Sequence, residues 1–215
     1  MKLKKYALGI WHSYKTTQRL RRLNKHELLA TWFDAHHLAS MQKVFSTGKI
    51  SIDEEQACRC TALLAATARG NIDIVIWLLS KGANIHHQSS DNGSAFHSAA
   101  SRGYIDILQL LHNRYNIDID HIDDQGQTAL INAAFLLPSS SLGLVQKVTA
   151  LLLQWGANPI LQDLQGFTAL DYITLQIKDY DDKKSLDTFE IESYQDLVET
   201  KEILEKTIAA YKEKI

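Results

Sequence analysis

The stretch TALLAATARGNIDIVIWLLSKGAN, from Thr61 to Asn84, decides the fold because it recurs along the chain. Its copies read SAFHSAASRGYIDILQLLHNRYN from Ser94 to Asn116 and TALINAAFLLPSSSLGLVQKVTALLLQWGANP from Thr128 to Pro159. A fourth copy begins as DLQGFTALDYI from Asp163 to Ile173. The opening Thr or Ser residues are 33, 34 and 40 positions apart, at Thr61, Ser94, Thr128 and Thr168. A period of this length is typical of stacked structural units.

Each copy has the pattern of two short helices joined by a tight turn. The opening Thr or Ser supplies an N-cap oxygen to the first helix, and Gly70 and Gly103 suit a left-handed residue at its end. Small residues in the first helix allow neighbouring helices to approach closely, at Ala65-Ala66, Ala99-Ala100 and Ala133-Ala134. Apolar residues then recur at helical spacing, as at Ile74, Val75, Leu78 and Leu79. No copy can bury both of its faces alone, so the copies are predicted to stack.

The copies resemble the ankyrin repeat, whose period is about 33 residues and whose opening reads T-P-L-H-x-A. The resemblance covers roughly residues 53–173 and includes D-x-x-G-x-T-A-L at Asp123–Leu130 and Asp163–Leu170. Alanine stands where the family has proline in each opening, which accounts for a total of only 2 prolines. The resemblance implies an all-α fold, an ankyrin-repeat solenoid of stacked helix-turn-helix units with degenerate N- and C-terminal caps. It also implies that His97, in the fourth place of the opening, hydrogen-bonds a neighbouring turn.

The period also predicts how the chain is divided. The expected segments are a basic N-terminal segment at 1–26, a degenerate capping repeat at 27–53, ankyrin repeats at 54–90, 91–122 and 123–161, and a C-terminal capping repeat at 162–215. The repeat at 123–161 carries an insertion between its helices, around Leu137–Gly143, and the last one carries a polar insertion at about 178–193. The terminal run is predicted to be a helix with one apolar face, formed by Leu197, Leu204, Ile208, Tyr211 and Ile215.

The net charge of -2 hides a strong asymmetry along the chain. Residues 1–26 hold eight Lys or Arg and no Asp or Glu, and the rest is acidic. No apolar run reaches the roughly 18–20 residues that cross a bilayer, and the apolar part of the N-terminus is shorter than that of a secretory signal. We therefore expect a soluble, unprocessed, cytoplasmic protein.

The basic segment 1–26 has two interpretations. Leu3, Tyr6, Ile10 and Tyr14 lie near helical spacing among its cations, so it could contact an anionic membrane or a nucleic acid. We favour a helix packed on the first cap, or a partly disordered tail, because the charges are spread out rather than clustered. Nucleic-acid binding is not expected.

Motifs for catalysis and cofactor binding are missing from the sequence. It contains no phosphate-binding glycine loop, no H-E-x-x-H and no G-x-S-x-G. Histidines at His36-His37, His86-His87 and His121 are candidate metal ligands, but histidines in turns are usually just solvated. Cys58 and Cys60 are too close to staple a fold and lack ligand partners, so both are expected to be thiols. We predict no enzyme activity, cofactor, metal or small-molecule substrate; a turn site with His86, His121 and Asp124, or a Cys58 nucleophile, is the remote alternative.

The candidate functional residues lie where ankyrin proteins bind their partners, at turn tips and on the exposed side of the first helices. Arg69 and Arg102 occupy equivalent places in successive repeats and should form a basic ridge for acidic groups of a partner. Apolar residues stand at positions that are usually polar, and they are candidate anchors: Phe135, Leu136, Leu164 and Phe167, together with Trp155. The alternative is that the inserted loop and the C-terminal cap cover these apolar groups.

The sequence therefore predicts a monomeric, non-enzymatic interaction module, a scaffold that binds a protein partner on a concave surface. A narrower alternative concerns the biological setting. Small ankyrin proteins with insertions and a glutamate-rich tail, here Glu192, Glu199, Glu202 and Glu205, resemble effectors that intracellular bacteria translocate into a host cell. An amphipathic cap helix has the same composition, so the tail alone does not decide between the two settings.

Overall fold

The computed structural model describes residues 38–56, 59–115, 117–135, 143–183 and 187–213. Within these ranges the regular structure is helical, with nine α-helices and no strand. The chain divides into two compact units, Met1–Ser89 and Ser90–Ile215. The predicted all-α fold class is confirmed.

The described part of the first unit contains three helices, α1 (Leu38–Phe45), α2 (Ala62–Ala68) and α3 (Ile72–Ser80). Helix α2 begins at Thr61, whose Oγ1 accepts a hydrogen bond of 3.4 Å from the amide of Leu64. Helix α3 packs against both α1 and α2, and their apolar faces form the core: Met41, Val44, Leu63, Ile74 and Leu78. The unit thus has the helix pairing that the repeat pattern predicts.

The second unit contains α4 (Ala95–Arg102), α5 (Ile105–Arg114), α6 (Ala129–Ala134), α7 (Leu144–Gln154), α8 (Ala169–Asp181) and α9 (Thr188–Lys212). Helices α4, α6 and α8 are the first helices of successive repeats and pack in that order, while α5 packs on α4 and α7 on α6. Each first helix starts at a Thr or Ser whose hydroxyl accepts an amide hydrogen bond, at Ser94, Thr128 and Thr168. The side chains between the helices are fully buried, among them Ile107, Leu108, Leu111, Leu130, Ile131, Leu152 and Ile173.

Small residues and one glycine allow this close packing. Ala99, Ala100, Ala133 and Ala134 are at most 1% exposed, as expected where first helices lie side by side. Gly103 ends α4 with a φ of 71°, in the left-handed region where other residues are strained. A Cβ atom on Gly103 would also lie 2.3 Å from Cδ2 of Leu144. The backbone conformation therefore favours glycine here, and any other residue would also have to displace the side chain of Leu144.

The C-terminal region is more helical than the sequence suggested. The predicted polar insertion at about 178–193 belongs to helices at both ends, because α8 continues to Asp181 and α9 starts at Thr188. Asp187 starts α9 early by capping it, since its carboxylate accepts a hydrogen bond of 2.8 Å from the amide of Glu190. Helix α9 packs on α7 and α8. Of its predicted apolar face, Leu197 and Leu204 are buried, Ile208 and Tyr211 are half-buried, and Ile215 is not among the described residues.

Helix α9 also caps the N-terminus of α7. That helix follows Gly143 and has no capping side chain of its own. The buried carboxylate of Asp196 in α9 instead accepts a hydrogen bond of 3.1 Å from the amide of Gln146. Burial raises the pKa of Asp196, although amides at the start of α7 act in the opposite direction. A residue 50 positions away thus satisfies the free amides of this helix.

Several sequence predictions lie outside the described residues. They include the basic segment 1–26, the first part of the capping repeat 27–53, and Leu137–Leu142 of the insertion in the third repeat. The segment boundaries therefore remain predictions.

Candidate functional site

The turns of the second unit are built by two aspartates of the D-x-x-G-x-T-A-L motif. Asp123 Oδ1 accepts hydrogen bonds of 2.9 Å from the amides of Gln125 and Gln127. Asp163 Oδ1 does the same for the amides of Gln165 and Phe167, each at 3.0 Å. Each carboxylate therefore closes its turn from within, which fixes the residues at the tip.

Successive turn tips are also joined to each other. The amide of Asp124 donates to the carbonyl oxygen of Asp91 at 3.0 Å, and the amide of Leu164 donates to that of Gln125 at 2.9 Å. Gly126, between these contacts, is buried and has a φ of 75°. A Cβ atom on it would lie 3.0 Å from the amide nitrogen of Leu164. The turn tips thus form a backbone-linked row across three repeats.

His97 joins the second repeat to the turn of the third. Its Nδ1 lies 2.9 Å from Oγ of Ser94, and its Nε2 lies 2.9 Å and 3.2 Å from the carbonyl oxygens of His121 and Gln127. Since carbonyls only accept, Nε2 carries the proton and Nδ1 is the acceptor. Burial lowers the pKa of His97, although the charge of Asp123 and the two carbonyls act in the opposite direction. The predicted role of His97 between turns is confirmed.

Tyr172 on α8 is held by the buried aspartate of the adjacent turn. Its hydroxyl donates a hydrogen bond of 2.5 Å to Oδ2 of Asp163. Burial and this bond raise the pKa of Tyr172 to about 12, so the phenol keeps its proton at neutral pH. Burial alone would raise the pKa of Asp163, but the bonds from Tyr172 and from the amides of Phe167 and Gln165 lower it overall. The pair is an ionised carboxylate that orients a neutral phenol ring.

Two predicted residues, Phe135 and Phe167, meet on the ring of Tyr172. The ring of Phe135 lies 4.3 Å from that of Tyr172, and the ring of Phe167 lies 5.4 Å from it on the turn side. Both phenylalanines stay accessible, at 42% and 39% exposure. Tilted rings at these distances attract each other, so the three side chains form one aromatic cluster with open edges.

Two exposed leucines lie on the same elements as this cluster. Leu164, in the same turn as Phe167, is 73% exposed, and Leu175 on α8 is 47% exposed. Leu175 follows the capping Thr168 by seven residues, as Phe135 follows Thr128. We call Phe135, Leu164, Phe167, Tyr172 and Leu175 the apolar face. The sequence predictions missed Tyr172 and Leu175, although the spacing from Thr168 placed both on the accessible side of α8.

The remaining predicted residues lie elsewhere. Trp155, at the end of α7, stacks on His112 of α5 with ring centroids 4.1 Å apart and lies 6.3 Å from the ring of Phe96. Its contacts thus tie the end of α7 to the preceding repeat and do not involve the cluster on Tyr172. Leu136 lies outside the described residues.

The two predicted arginines belong to different units. Arg69 ends α2 in the first unit, where its Nη1 donates a hydrogen bond of 3.0 Å to the carbonyl of Ala65. Arg102 is exposed at the end of α4 in the second unit. The basic ridge of Arg69 and Arg102 remains a prediction.

The segments that carry the apolar face are acidic. Residues 123–135 and 163–181 contain six aspartates and a single lysine, Lys178. Among the described residues, no group of three or more His, Cys, Asp or Glu could hold a metal ion. No helix in the same part of the chain is long and apolar enough to cross a membrane.

These features define a helical repeat protein whose linked turns and first helices hold a row of accessible side chains. Comparison with known families gives the more specific assignment: the family described as "Ankyrin repeats (3 copies)" matches this chain at residues 35–123 and 62–163. The crystal structure of an ankyrin repeat protein is similar over 74% of this chain and 73% of its own, with 27% identity and a TM-score of 0.56. The chain belongs to the ankyrin repeat family.

Proposed function

We propose that this chain is a non-enzymatic module that binds a protein partner on the concave ankyrin surface, with the apolar face as the main anchor. Ankyrin repeats are generally protein–protein interaction modules. Arg102 on α4 is the proposed contact for an acidic group of the partner, and Arg69 has the equivalent place in the preceding repeat. The identity of the partner is not part of the proposal.

The cluster of Phe135, Phe167 and Tyr172 is the observation that carries the proposal. Contiguous exposed apolar patches are uncommon on soluble monomeric proteins, and the larger ones often mark interaction sites. Such residues dominate the binding energy of most interfaces. The bond from Tyr172 to Asp163 fixes the central ring before any partner binds, which lowers the entropy lost on association.

The test combines site-specific crosslinking with substitution. A photoreactive phenylalanine analogue at Phe167 should crosslink a defined partner in extracts of the source cells, and the same analogue at Phe189 on α9 should not. Phe189 is the matched control because it is an exposed phenylalanine, at 45%, on another helix. The double variant Phe135→Ala/Arg102→Ala should capture less of that partner at an unchanged thermal midpoint. Equal capture by the double variant would contradict the proposed surface.

A further inference from the structure

The apolar face has an electrostatic surrounding that restricts its partner. Asp124 in the preceding turn and Asp171 and Asp179 on α8 are exposed, and Asp163 lies beneath Tyr172. Lys178 is the single lysine or arginine of residues 123–135 and 163–181. Arg102, at the end of α4, belongs to the preceding repeat. The segments that carry the apolar face thus hold more carboxylates than cations.

Two carboxylates near the apolar face, Asp163 and Asp171, are held in place by hydrogen bonds. Asp163 has a lowered pKa because the phenol of Tyr172 and two backbone amides stabilise its charged form. Its partner Tyr172 has a pKa of about 12, so the phenol is neutral and does not change the charge of the site. The carboxylate of Asp171 accepts a hydrogen bond of 2.8 Å from the amide of Thr168. This bond holds the carboxylate at the start of α8. A group that approaches the aromatic rings therefore meets fixed carboxylates.

From this arrangement we propose that the apolar face binds a peptide segment in which a large apolar residue is flanked by lysine or arginine. The apolar residue packs on the rings of Phe135, Tyr172 and Phe167, and the flanking cations face Asp124, Asp171 and Asp179. Aromatic rings also attract cations through their faces, so both parts of such a segment favour this surface over an acidic or uncharged one. This inference rests on the proposed function and specifies the chemistry of the partner.

The probe is a displayed library of random peptides, selected on the full-length chain and counter-selected on the Phe135→Ala/Phe167→Ala variant. We expect the enriched peptides to have a net positive charge and at least one large apolar residue. A labelled copy of one enriched peptide should bind about tenfold more weakly to the Phe135→Ala variant. Its binding should weaken further as salt is raised.

Two charge reversals distinguish the effect of carboxylates beside the apolar face from the effect of the net charge of the protein. Asp179→Lys places a cation on α8 beside the apolar face, whereas Glu192→Lys makes the same charge change at an exposed position of α9. The first should weaken binding of the labelled peptide several-fold, and the second, like Phe189→Ala, should leave it unchanged. Circular dichroism of each variant establishes that the helices are intact.

The outcomes distinguish the two proposals. Enrichment of neutral or acidic peptides that still lose binding in the Phe135→Ala variant would overturn the basic segment and leave the interaction site standing. Equal effects of Asp179→Lys and Glu192→Lys would also overturn the basic segment. A library from which no peptide depends on Phe135 or Phe167 would overturn both the segment and the proposed site.

Discussion

At the scale of single residues, a few hydrogen-bonded side chains hold neighbouring repeats in register. His97 bonds the turn of the next repeat through Nε2 and its own N-cap serine through Nδ1. Tyr172 and Asp163 form a similar link between a turn and the first helix after it. Because these groups are polar and enclosed, each of them stabilises the fold only while all its bonds are made.

The buried ring of His97 makes the stability depend on pH. Its folded pKa is lowered below the ordinary value of 6.5, so the unfolded chain binds more protons just below that value and stability falls as the pH falls. The contribution of His97 is complete above about pH 6.5 and is lost as the pH approaches the folded pKa. Urea titrations at several pH values should show a steeper loss between pH 7 and 5 for the wild type than for His97→Gln.

The matched control for His97 is His86, an exposed histidine in a turn of the first unit. His86→Gln should keep the pH dependence of the wild type. At pH 7.5 the His97→Gln variant should be less stable by about 1–3 kcal/mol, because carbonyls and a serine lose their partner. An unchanged pH dependence in His97→Gln would contradict this role.

In contrast to His97, a buried hydroxyl group in the first unit lowers the stability of the fold. Thr67 in α2 is 0% exposed, and its Oγ1 has no hydrogen-bond partner among the described residues. Thr67→Val should raise the free energy of unfolding by about 1 kcal/mol, because it removes an unsatisfied polar group at nearly constant volume. Thr200 in α9 is equally buried, but its Oγ1 donates a hydrogen bond of 2.7 Å to the carbonyl oxygen of Asp196. Thr200→Val should therefore have no stabilising effect in thermal unfolding; equal gains for both variants would contradict the explanation.

At the scale of elements, the row of turns depends on space as well as on backbone conformation. Gly126 and Gly166 are equivalent residues of two turns, with φ values of 75° and 81°. A Cβ atom on Gly126 would meet the next turn at 3.0 Å, whereas one on Gly166 would meet no atom of the described residues within 4 Å. The two positions therefore separate left-handed strain from contact between repeats.

Alanine substitutions at these two glycines give the corresponding prediction. Gly166→Ala should cost about 1–2 kcal/mol, the strain of a left-handed residue. Gly126→Ala should cost at least about 1 kcal/mol more, because the turn at Asp163 must shift as well. Chemical denaturation of the two variants measures the difference. Equal losses would mean that the turns can separate without cost.

Elements whose signals are local could be predicted from the sequence. The first helices of the second unit start at the residues expected from their Thr and Ser caps, since a cap needs only the next three amides. The start of α7 could not be found in this way, because its cap is Asp196, which lies 50 positions away from the bonded amide. The extent of α8 and α9 was missed for a related reason: these two helices pack on each other, and α9 also packs on α7, through contacts between residues far apart in the sequence.

The residues of the candidate site also differ in whether nearby sequence or contacts between distant residues determine their position. Phe135, Leu164 and Phe167 could be proposed from their repeat positions, but their exposure could not be decided, because the inserted loop or the C-terminal cap could have covered them. Trp155 could not be placed, since its stacking on His112 depends on how the ends of α5 and α7 meet. Tyr172 was missed because its equivalents in the second unit, Ser98 and Asn132, are polar residues, and its contacts with Phe135 and Asp163 form only in the folded chain.

At the scale of the whole molecule, α9 has the role of a cap for the second unit. It buries Leu197 and Leu204 against α7 and α8, and its Asp196 caps α7. Repeat arrays need a terminal element with a polar outer face, because each repeat exposes an apolar face to the next. The outer side of α9 meets this need with ion pairs such as Lys206 to Glu202 at 3.4 Å.

Removal of α9 tests whether this helix stabilises the second unit as a whole. A chain that ends at Asp182 should unfold at a lower temperature and bind an apolar dye such as ANS, because the sides of α7 and α8 that α9 covered become accessible. The variant Leu204→Ala should lose about 2–5 kcal/mol, since Leu204 is 0% exposed. In contrast, Lys206→Ala on the outer side should change stability by less than about 0.5 kcal/mol. If the shortened chain kept the thermal midpoint of the full chain, α9 would be an appendage, and the stability of the second unit would come from its repeats alone.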